Sequence, residues 1–184
     1  MTIITIHTGD TELTIRSVAQ PVATLETMPA LEEPLYESSA RFTKIAADGN
    51  RLPEGDTRTD HAAVIDNTTG LMWSARSYGD PGNEDDGISQ EHCIERCKQL
   101  ALLGHKDWRL PTRAELVGLI DDTRHEPAID TDAFPGVKPQ WHWTSTPAAW
   151  SSASAWSVHF NGGDVYGSLR GSYGFALAVR RAGQ

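Results

Sequence analysis

The chain has 184 residues, 39% hydrophobic and 22% charged, proportions typical of globular domains that exclude a disordered, collagen-like or membrane-embedded protein. This length accommodates one well-buried domain plus an appendage, but not two domains of ordinary size. The formal net charge of −9 excludes nucleic acid as a partner, because phosphate contacts need a concentrated lysine and arginine surface and no such run occurs.

The N-terminal segment alternates apolar and polar residues over positions 2–18, with Gly9 and Asp10 between two apolar runs. This pattern predicts a β-hairpin. The segment lacks the basic and long apolar regions of a secretion signal, so we expect cytoplasmic synthesis without one, and no later stretch could span a membrane. Prolines and glutamates over positions 21–34 predict a linker. We therefore expect an arm over residues 1–40 that serves oligomerisation, followed by a domain over residues 41–184.

The next segment predicts paired strands and then an acidic loop. Turn residues at 66–70 lie between short apolar runs at 62–65 and 71–73, a pattern typical of strand, turn and strand. The loop at 78–87 either coordinates Ca²⁺ or is simply solvated, and the irregular spacing of its carboxylates favours solvation. The acidic residues concerned are Asp80, Glu84, Asp85 and Asp86.

Two helices are predicted in the middle of the chain. The first has Ser89 as its N-cap, runs to about Leu103 and ends at Gly104. The second begins after Thr112, which forms a capping box with Glu115. Two helices within a chain otherwise made of strands indicate an α+β fold.

The segment before the second helix, residues 107–112, combines charged and aromatic side chains as active sites do. Its capping chemistry nevertheless favours a structural role. We expect Trp108 and Leu110 to enter the core. We expect Arg109 to pair with a buried carboxylate or carbonyl oxygen.

The two cysteines, Cys93 and Cys97, lie four residues apart and would share one helix face. They could form a redox pair, provide half of a metal site, or pack as two small apolar residues in the core. The spacing matches neither a CxxC motif nor a paired Cys/His site. The pattern therefore favours core packing.

The segment from Trp141 to Tyr173 has a composition of its own. It contains four of the six tryptophans, two of the four tyrosines and seven serines, but only two charged residues. Such a composition is typical of recognition surfaces, because rigid aromatic rings provide contact area and small polar residues provide adaptable hydrogen bonds. Alternation over 156–160 and a turn at 161–163 predict a hairpin, and residues 175–179 predict a last strand.

Alternation also separates core positions from candidate ligand-binding positions. We expect Trp143, Trp156 and Phe160 to be core residues, whereas alternation leaves Trp141 and Trp150 open between core and surface. The candidate ligand-binding residues, with Trp150 included, are Trp150, Ser157, His159, Asn161, Asp164, Tyr166, Ser168, Arg170 and Tyr173.

Catalytic and metal-binding interpretations of this segment are weaker. Ser157, His159 and Asp164 contain the residue types of a hydrolase triad, but no nucleophile elbow or oxyanion loop accompanies them. His142 with His159 and Asp164 lacks the spacing of a metal site. We therefore expect no enzyme activity, no cofactor and no metal.

Several motifs occur in one order along the chain. They are Arg-Phe-Thr at 41–43, Asp-Asn-x-Thr-Gly-Leu-Met-Trp at 66–73, Gly-x-x-Asp-Trp-Arg-Leu-Pro-Thr-x-x-Glu-Leu at 104–116, Phe134, Trp-Thr-Ser-Thr at 143–146, Ala-Trp-x-Val-x-Phe at 155–160 and Ala-Val-Arg at 178–180. Together they resemble the C-terminal domain family of the Legionella collagen-like adhesin over roughly residues 41–181. An ordered set of this kind is far more specific than any single motif.

The resemblance implies a C-type-lectin-like fold with two short helices and small twisted antiparallel sheets, related to formylglycine-generating enzymes and to retroelement-diversified variable proteins. It also implies a trimer, and in the adhesin the domain binds sulfated polysaccharides. We expect this chain to depart from the adhesin, without a collagen-like stalk or signal peptide and with an arm of its own before the domain. The formylglycine-generating relatives need a cysteine pair in the C-terminal part of the fold, and no cysteine follows Cys97.

We expect a non-enzymatic module that binds a protein or carbohydrate ligand, as a phage or prophage structural or receptor-binding protein with a virion-associated setting. A homo-oligomer is expected, with a trimer favoured by the resemblance. One alternative is a structural assembly protein that carries the lectin-like domain as decoration. Others are a retroelement-diversified variable binding protein and an oxidase-like enzyme that uses Cys93 or Cys97.

Overall fold

The computed structural model describes residues 2–8, 11–17 and 40–183, with side chains described from residue 40 onward. Strand β1 (Thr2–Thr8) pairs antiparallel with β2 (Thr11–Ser17), which confirms the predicted hairpin pairing. Residues 9 and 10 and the predicted linker up to residue 39 lie outside the described residues. The hairpin belongs to one compact unit, residues 1–37, and residues 38–184 form another.

The larger unit contains a four-stranded antiparallel sheet in the order β3-β4-β5-β9. Both β4 and β5 are buried along their whole length, because apolar side chains cover both faces of the sheet. Its strands are β3 (Phe42–Ile45), β4 (Ala63–Asp66), β5 (Leu71–Ser74) and β9 (Val179–Arg181). The predicted turn at 66–70 joins β4 to β5, and Gly70 ends it with a positive φ of 68° that favours glycine.

A three-stranded antiparallel sheet has the order β6-β7-β8. Strand β6 (Trp141–Ala148) precedes β7 (Ser151–His159), and β8 (Asp164–Leu169) follows it. The β7–β8 connection is the turn predicted at 161–163. The register of β6 against β7 shifts after Trp143, which bends the strand away from a regular ladder.

Two described α-helices lie between β5 and β6 in the chain, which confirms the expected α+β class. In α1 (Gln90–Lys98) the N-cap Ser89 accepts a hydrogen bond from the His92 amide, and α2 (Arg113–Val117) carries the complete capping box. The predicted extent of α1 is wrong, because the helix ends at Lys98. A separate 3₁₀ turn follows at Leu102–Gly104. Neither described helix is long and apolar enough to cross a membrane.

The early end of α1 has a local cause. Ala101 has a φ of −117° and a ψ of 34°, and Leu103 has a φ of 54°, so neither residue continues the α-helix. The carbonyl of Leu102 instead accepts a hydrogen bond from the Trp108 indole at 3.1 Å. This bond pairs the indole nitrogen of Trp108, whose side chain is buried in the core.

The core of the larger unit consists of two clusters of buried side chains. The first packs around α1 and includes Cys93, Cys97, Trp108, Trp143 and Ala155. Both cysteines are fully buried, which confirms that they pack in the core. Burial raises the pKa of the Cys97 thiol to about 12 and raises that of Cys93 further.

The second cluster packs around α2 and includes Trp73, Leu116, Phe134, Val158 and Phe160. Because Val158 and Phe160 project from one face of β7 while Ala155 projects from the other, the three-stranded sheet contributes to both clusters. The outer part of the sheet that neither cluster covers is where an interaction surface can form.

Candidate binding groove

Three segments of the larger unit line an open groove of about 780 Å³: residues 80–87, 138–141 and 173–175. The first is the acidic loop, the second leads into β6, and the third follows the three-stranded sheet. A pair of backbone hydrogen bonds joins them, from Ile88 to the Gly174 carbonyl at 2.7 Å and from Gly174 to the Ile88 carbonyl at 3.0 Å. The groove thus brings together residues more than 80 positions apart in sequence.

Two glycines make this approach possible. A Cβ atom on Gly87 would lie 2.9 Å from the Gly174 amide nitrogen, and one on Gly174 would lie 2.8 Å from the Trp143 indole nitrogen. Both distances are too short for carbon, so neither position has room for a larger side chain. The floor of the groove therefore rests directly on the core tryptophan Trp143.

The acidic loop is held at two points. Glu84 accepts a hydrogen bond from the Gly79 amide and forms an ion pair with Arg96 of α1. Asp85 forms an ion pair with Lys138 across the groove, at 2.5 Å. The hydrogen bond from Lys138 lowers the pKa of Asp85. The acidic residues of the loop are all exposed, as a solvated loop requires, and the two ion pairs also anchor the loop to α1 and to Lys138.

The opposite wall is fixed by a buried hydrogen-bond chain. The Lys138 amide donates to the Ser77 hydroxyl at 3.0 Å, and this hydroxyl lies 2.6 Å from His142 Nε2. His142 Nδ1 lies 2.9 Å from the Gln140 carbonyl. Because that carbonyl can only accept, Nδ1 carries the hydrogen and Nε2 accepts from Ser77. The segment 138–141 is therefore tied to the core at both Lys138 and Gln140.

Burial lowers the pKa of His142 to about 4, although its hydrogen bond to Gln140 acts in the opposite direction. The ring is completely buried and neutral at neutral pH. It lies opposite Val158 in the register, whereas His159 lies opposite Trp141. The two histidines consequently project from opposite faces of the sheet and do not converge on one point.

Aromatic side chains extend the groove onto the uncovered face of the sheet. The half-buried Trp141 lines the groove, and its ring lies 4.6 Å from that of His159 and 6.4 Å from that of Tyr166. Asp164 is the register partner of His159 on the next strand. Tyr173 on the far side of the groove is 81% exposed. We use the name groove face for the groove together with Trp141, His159, Asp164, Tyr166 and Tyr173.

The predicted ligand-binding residues fall into three groups in the structure. Tyr173 lines the groove, and His159, Asp164 and Tyr166 lie on the groove face beside Trp141. The others do not line the groove. Their positions are the β7–β8 turn for Asn161, strand β8 for Ser168, and the end of that strand for the half-buried Arg170.

Ser157 was expected on the exposed side of its strand, and this expectation is wrong. The residue is only 2% exposed, and its hydroxyl donates to the Tyr166 carbonyl at 3.1 Å. Its register partner is Trp143, which the core cluster around α1 covers. Alternation predicts exposure only where one face of a sheet is open. Around Ser157, both faces of the three-stranded sheet are covered by core residues.

Trp150 is exposed but does not belong to the groove face. Its ring lies where a side chain on Gly167 would be, 2.5 Å from an ideal Cβ. Since Gly167 follows Tyr166 in β8, the two positions face opposite sides of the sheet. Trp150 therefore lies on the face opposite Tyr166.

Trp156, which was expected in the core, is only partly buried. It has the same orientation as Val158 but lies nearer the end of the sheet, where the core cluster no longer covers it. The Trp150 ring packs edge-on against it at 5.2 Å, and the Arg113 guanidinium lies 3.8 Å from its ring centre. These contacts replace core packing.

Sequence reasoning did not select several groove residues as ligand-binding: Asp80, Asp85, Asp86, Lys138, Gln140 and Phe175. The acidic loop gave a local signal, since its carboxylates suggested a cation. Lys138, Gln140 and Phe175 gave none, because only the pairing of residues 88 and 174 brings them to the loop.

Fold and groove together define a small α+β domain with an open groove that has aromatic side chains on its walls. The chain belongs to the Lcl C-terminal domain family, whose model matches residues 62–180. This membership supports an adhesin-like binding domain. No curated protein matches the chain.

Proposed function

We propose that this protein is a non-enzymatic binding module that recognises a protein or carbohydrate ligand through the groove face. The observation that supports it best is the open groove of about 780 Å³ with the exposed Tyr173 and the half-buried Trp141 on its walls. Ligand sites are concave, lined by aromatic groups and contain a few fixed polar groups. The adhesin-like family supports the same proposal.

Ligand arrays test this proposal. Oligosaccharide and peptide arrays would be probed with the wild type and with Tyr173→Ala and Tyr166→Ala variants. Truncation of an aromatic anchor at a binding surface costs about 1 to 3 kcal/mol, so hits should weaken by about fivefold to 150-fold. Leu169→Ala is the matched control, because Leu169 and Tyr166 are both 64% exposed on β8 but face opposite sides.

The control decides between the two faces of the sheet. Hits that weaken with Tyr173→Ala and Tyr166→Ala, but not with Leu169→Ala, support the groove face. Hits that are lost with Leu169→Ala and insensitive to Tyr173→Ala would move the ligand to the side that carries Trp150.

The biological setting is also a proposal. The resemblance includes phage and cell-surface proteins, and we propose a virion-associated or cell-surface role for a homo-oligomer. Neighbouring genes distinguish these settings, since tail genes, a reverse transcriptase or a pilus cluster would each identify a different one.

A further inference from the structure

The groove already holds one ammonium group. Lys138 Nζ lies 2.5 Å from an Asp85 oxygen and 5.4 Å from the ring centre of Phe175. The lysine and the aspartate come from opposite walls, so this ion pair crosses the groove. A carboxylate and an aromatic face are the two partners that bind an ammonium group well.

The negative charge of the groove exceeds what Lys138 neutralises. Of the described residues that line it, Lys138 alone is cationic, while Asp80, Asp85 and Asp86 are acidic. Asp80 accepts a hydrogen bond from the Gly82 amide at 2.7 Å, and Asp86 accepts one from the Asn83 side chain at 3.1 Å. Each of these two bonds is made within the acidic loop and engages one oxygen of the carboxylate.

This charge distribution separates classes of ligand. A polyanion would be repelled by the two carboxylates that Lys138 does not neutralise. An uncharged ligand that covered them would remove their water without replacing it, which is costly for an ionised group. A cationic group would neutralise them and contact the rings of Trp141 and Tyr173 on the walls.

We infer that the groove binds a lysine or arginine side chain presented by a protein partner, with Asp80 and Asp86 as its carboxylate contacts. This inference depends on the proposed binding function and names the ligand class for the same site. Lys138 competes with the incoming cation, because its own ammonium group already occupies the nearby carboxylate of Asp85.

The test uses a capped hexapeptide with two lysines, titrated into the full-length protein and followed by the change in tryptophan fluorescence. Its matched peptide carries norleucine in place of lysine, and an uncharged hexasaccharide represents the glycan alternative. Loss of the charges in an Asp80→Asn, Asp86→Asn variant should weaken lysine-peptide binding by about tenfold, the size expected of two partly exposed ion pairs.

Two further variants sharpen the result. Asp60→Asn with Asp122→Asn removes the same charge from exposed positions outside the groove, and should leave the affinity unchanged. Lys138→Met removes the internal ammonium group and should raise the affinity for the lysine peptide by about threefold or more. Added salt should weaken lysine-peptide binding.

Failure of the inference can be distinguished from failure of the proposed function. Equal binding of the lysine and norleucine peptides, or indifference to the Asp80→Asn, Asp86→Asn change, would overturn the cationic ligand. A lower affinity in Lys138→Met would overturn the competitor role. Hexasaccharide binding that requires Tyr173 but not these carboxylates would reject the inference and leave the groove as the binding site.

Discussion

His142 shows how one buried side chain shapes an exposed surface. Its two ring nitrogens connect the Ser77 hydroxyl to the Gln140 carbonyl, and Ser77 in turn receives the Lys138 amide. These hydrogen bonds form only while the ring of His142 is neutral, because a protonated ring could no longer accept a hydrogen bond from Ser77. Both groove positions, Lys138 and Gln140, therefore depend on the protonation state of a residue that is itself completely buried.

This dependence gives a prediction for stability against pH. The unfolded chain protonates this histidine near its ordinary pKa of 6.5, and the folded protein does so only at about 4. Between these values the unfolded chain binds more protons, so the unfolding free energy falls as the pH drops from 6.5 to 4. The full contribution, about 3 kcal/mol, is present above that range and lost below it.

Urea unfolding of the wild type and of His142→Gln across this pH range measures the effect. Glutamine retains one donor and one acceptor but does not titrate, so its variant lacks this part of the pH dependence. The wild type should be more stable near neutral pH and lose much of that advantage by about pH 4. Parallel curves for the two proteins would contradict the assignment.

At the scale of elements, α2 is a five-residue helix whose start is unusually well fixed. Thr112 and Glu115 form a reciprocal capping box, and Glu115 also receives two hydrogen bonds from Arg109, at 2.8 Å and 2.6 Å. The pKa of Glu115 is lowered to about 2, mainly by the hydrogen bonds from Arg109 and to a smaller extent by those from Thr112. So short a helix needs its cap, since one turn scarcely offsets the cost of nucleation.

Thr112→Ala should lower the unfolding free energy by about 1 kcal/mol, because it removes the side-chain acceptor of the Glu115 amide. Thr112→Ser retains the hydroxyl and should stay within a few tenths of the wild type. Chemical denaturation of the three proteins measures the difference. Equal midpoints for the alanine and serine variants would show that the cap does not support α2.

The capping box, the Ser89 cap and the hairpins could be predicted because each signal lies within a few neighbouring residues. Arg109 pairs with a carboxylate as expected, that of Glu115 six positions away, but this carboxylate is only partly buried rather than buried. The groove could not be predicted, because it depends on Gly87 meeting Gly174. Likewise, the burial of Ser157 depends on a core cluster that covers its side of the sheet.

At the scale of the whole molecule, the compact units 1–37 and 38–184 differ in what stabilises them. The larger unit has two core clusters of its own. In the smaller, the described strands form only a two-stranded sheet, and such a hairpin is marginally stable alone. Its outer edges carry backbone groups that can pair with another chain. The C-type-lectin-like architecture and the trimer stay predictions from the resemblance.

Removal of residues 1–40 should therefore change the assembly but not the domain. We expect the full chain to form a trimer in solution, and the fragment 41–184 to be a folded monomer that retains the binding of any groove ligand. Light scattering coupled to size exclusion gives both masses. A monomeric full chain, or a fragment with the trimer's subunit number, would refute the arm as the assembling element.

The contact between Trp150 and Gly167 sets unequal tolerances on the two sides of one strand. A side chain at position 167 would have to displace the indole ring, which lies 2.5 Å from an ideal Cβ, and would remove its packing on Gly167. The exposed Asp164 and Tyr166 project from the other side, where no such neighbour confines them. Along β8, the fold should therefore tolerate substitutions at Asp164 and Tyr166, whereas substitutions at Gly167 should disturb the packing of Trp150.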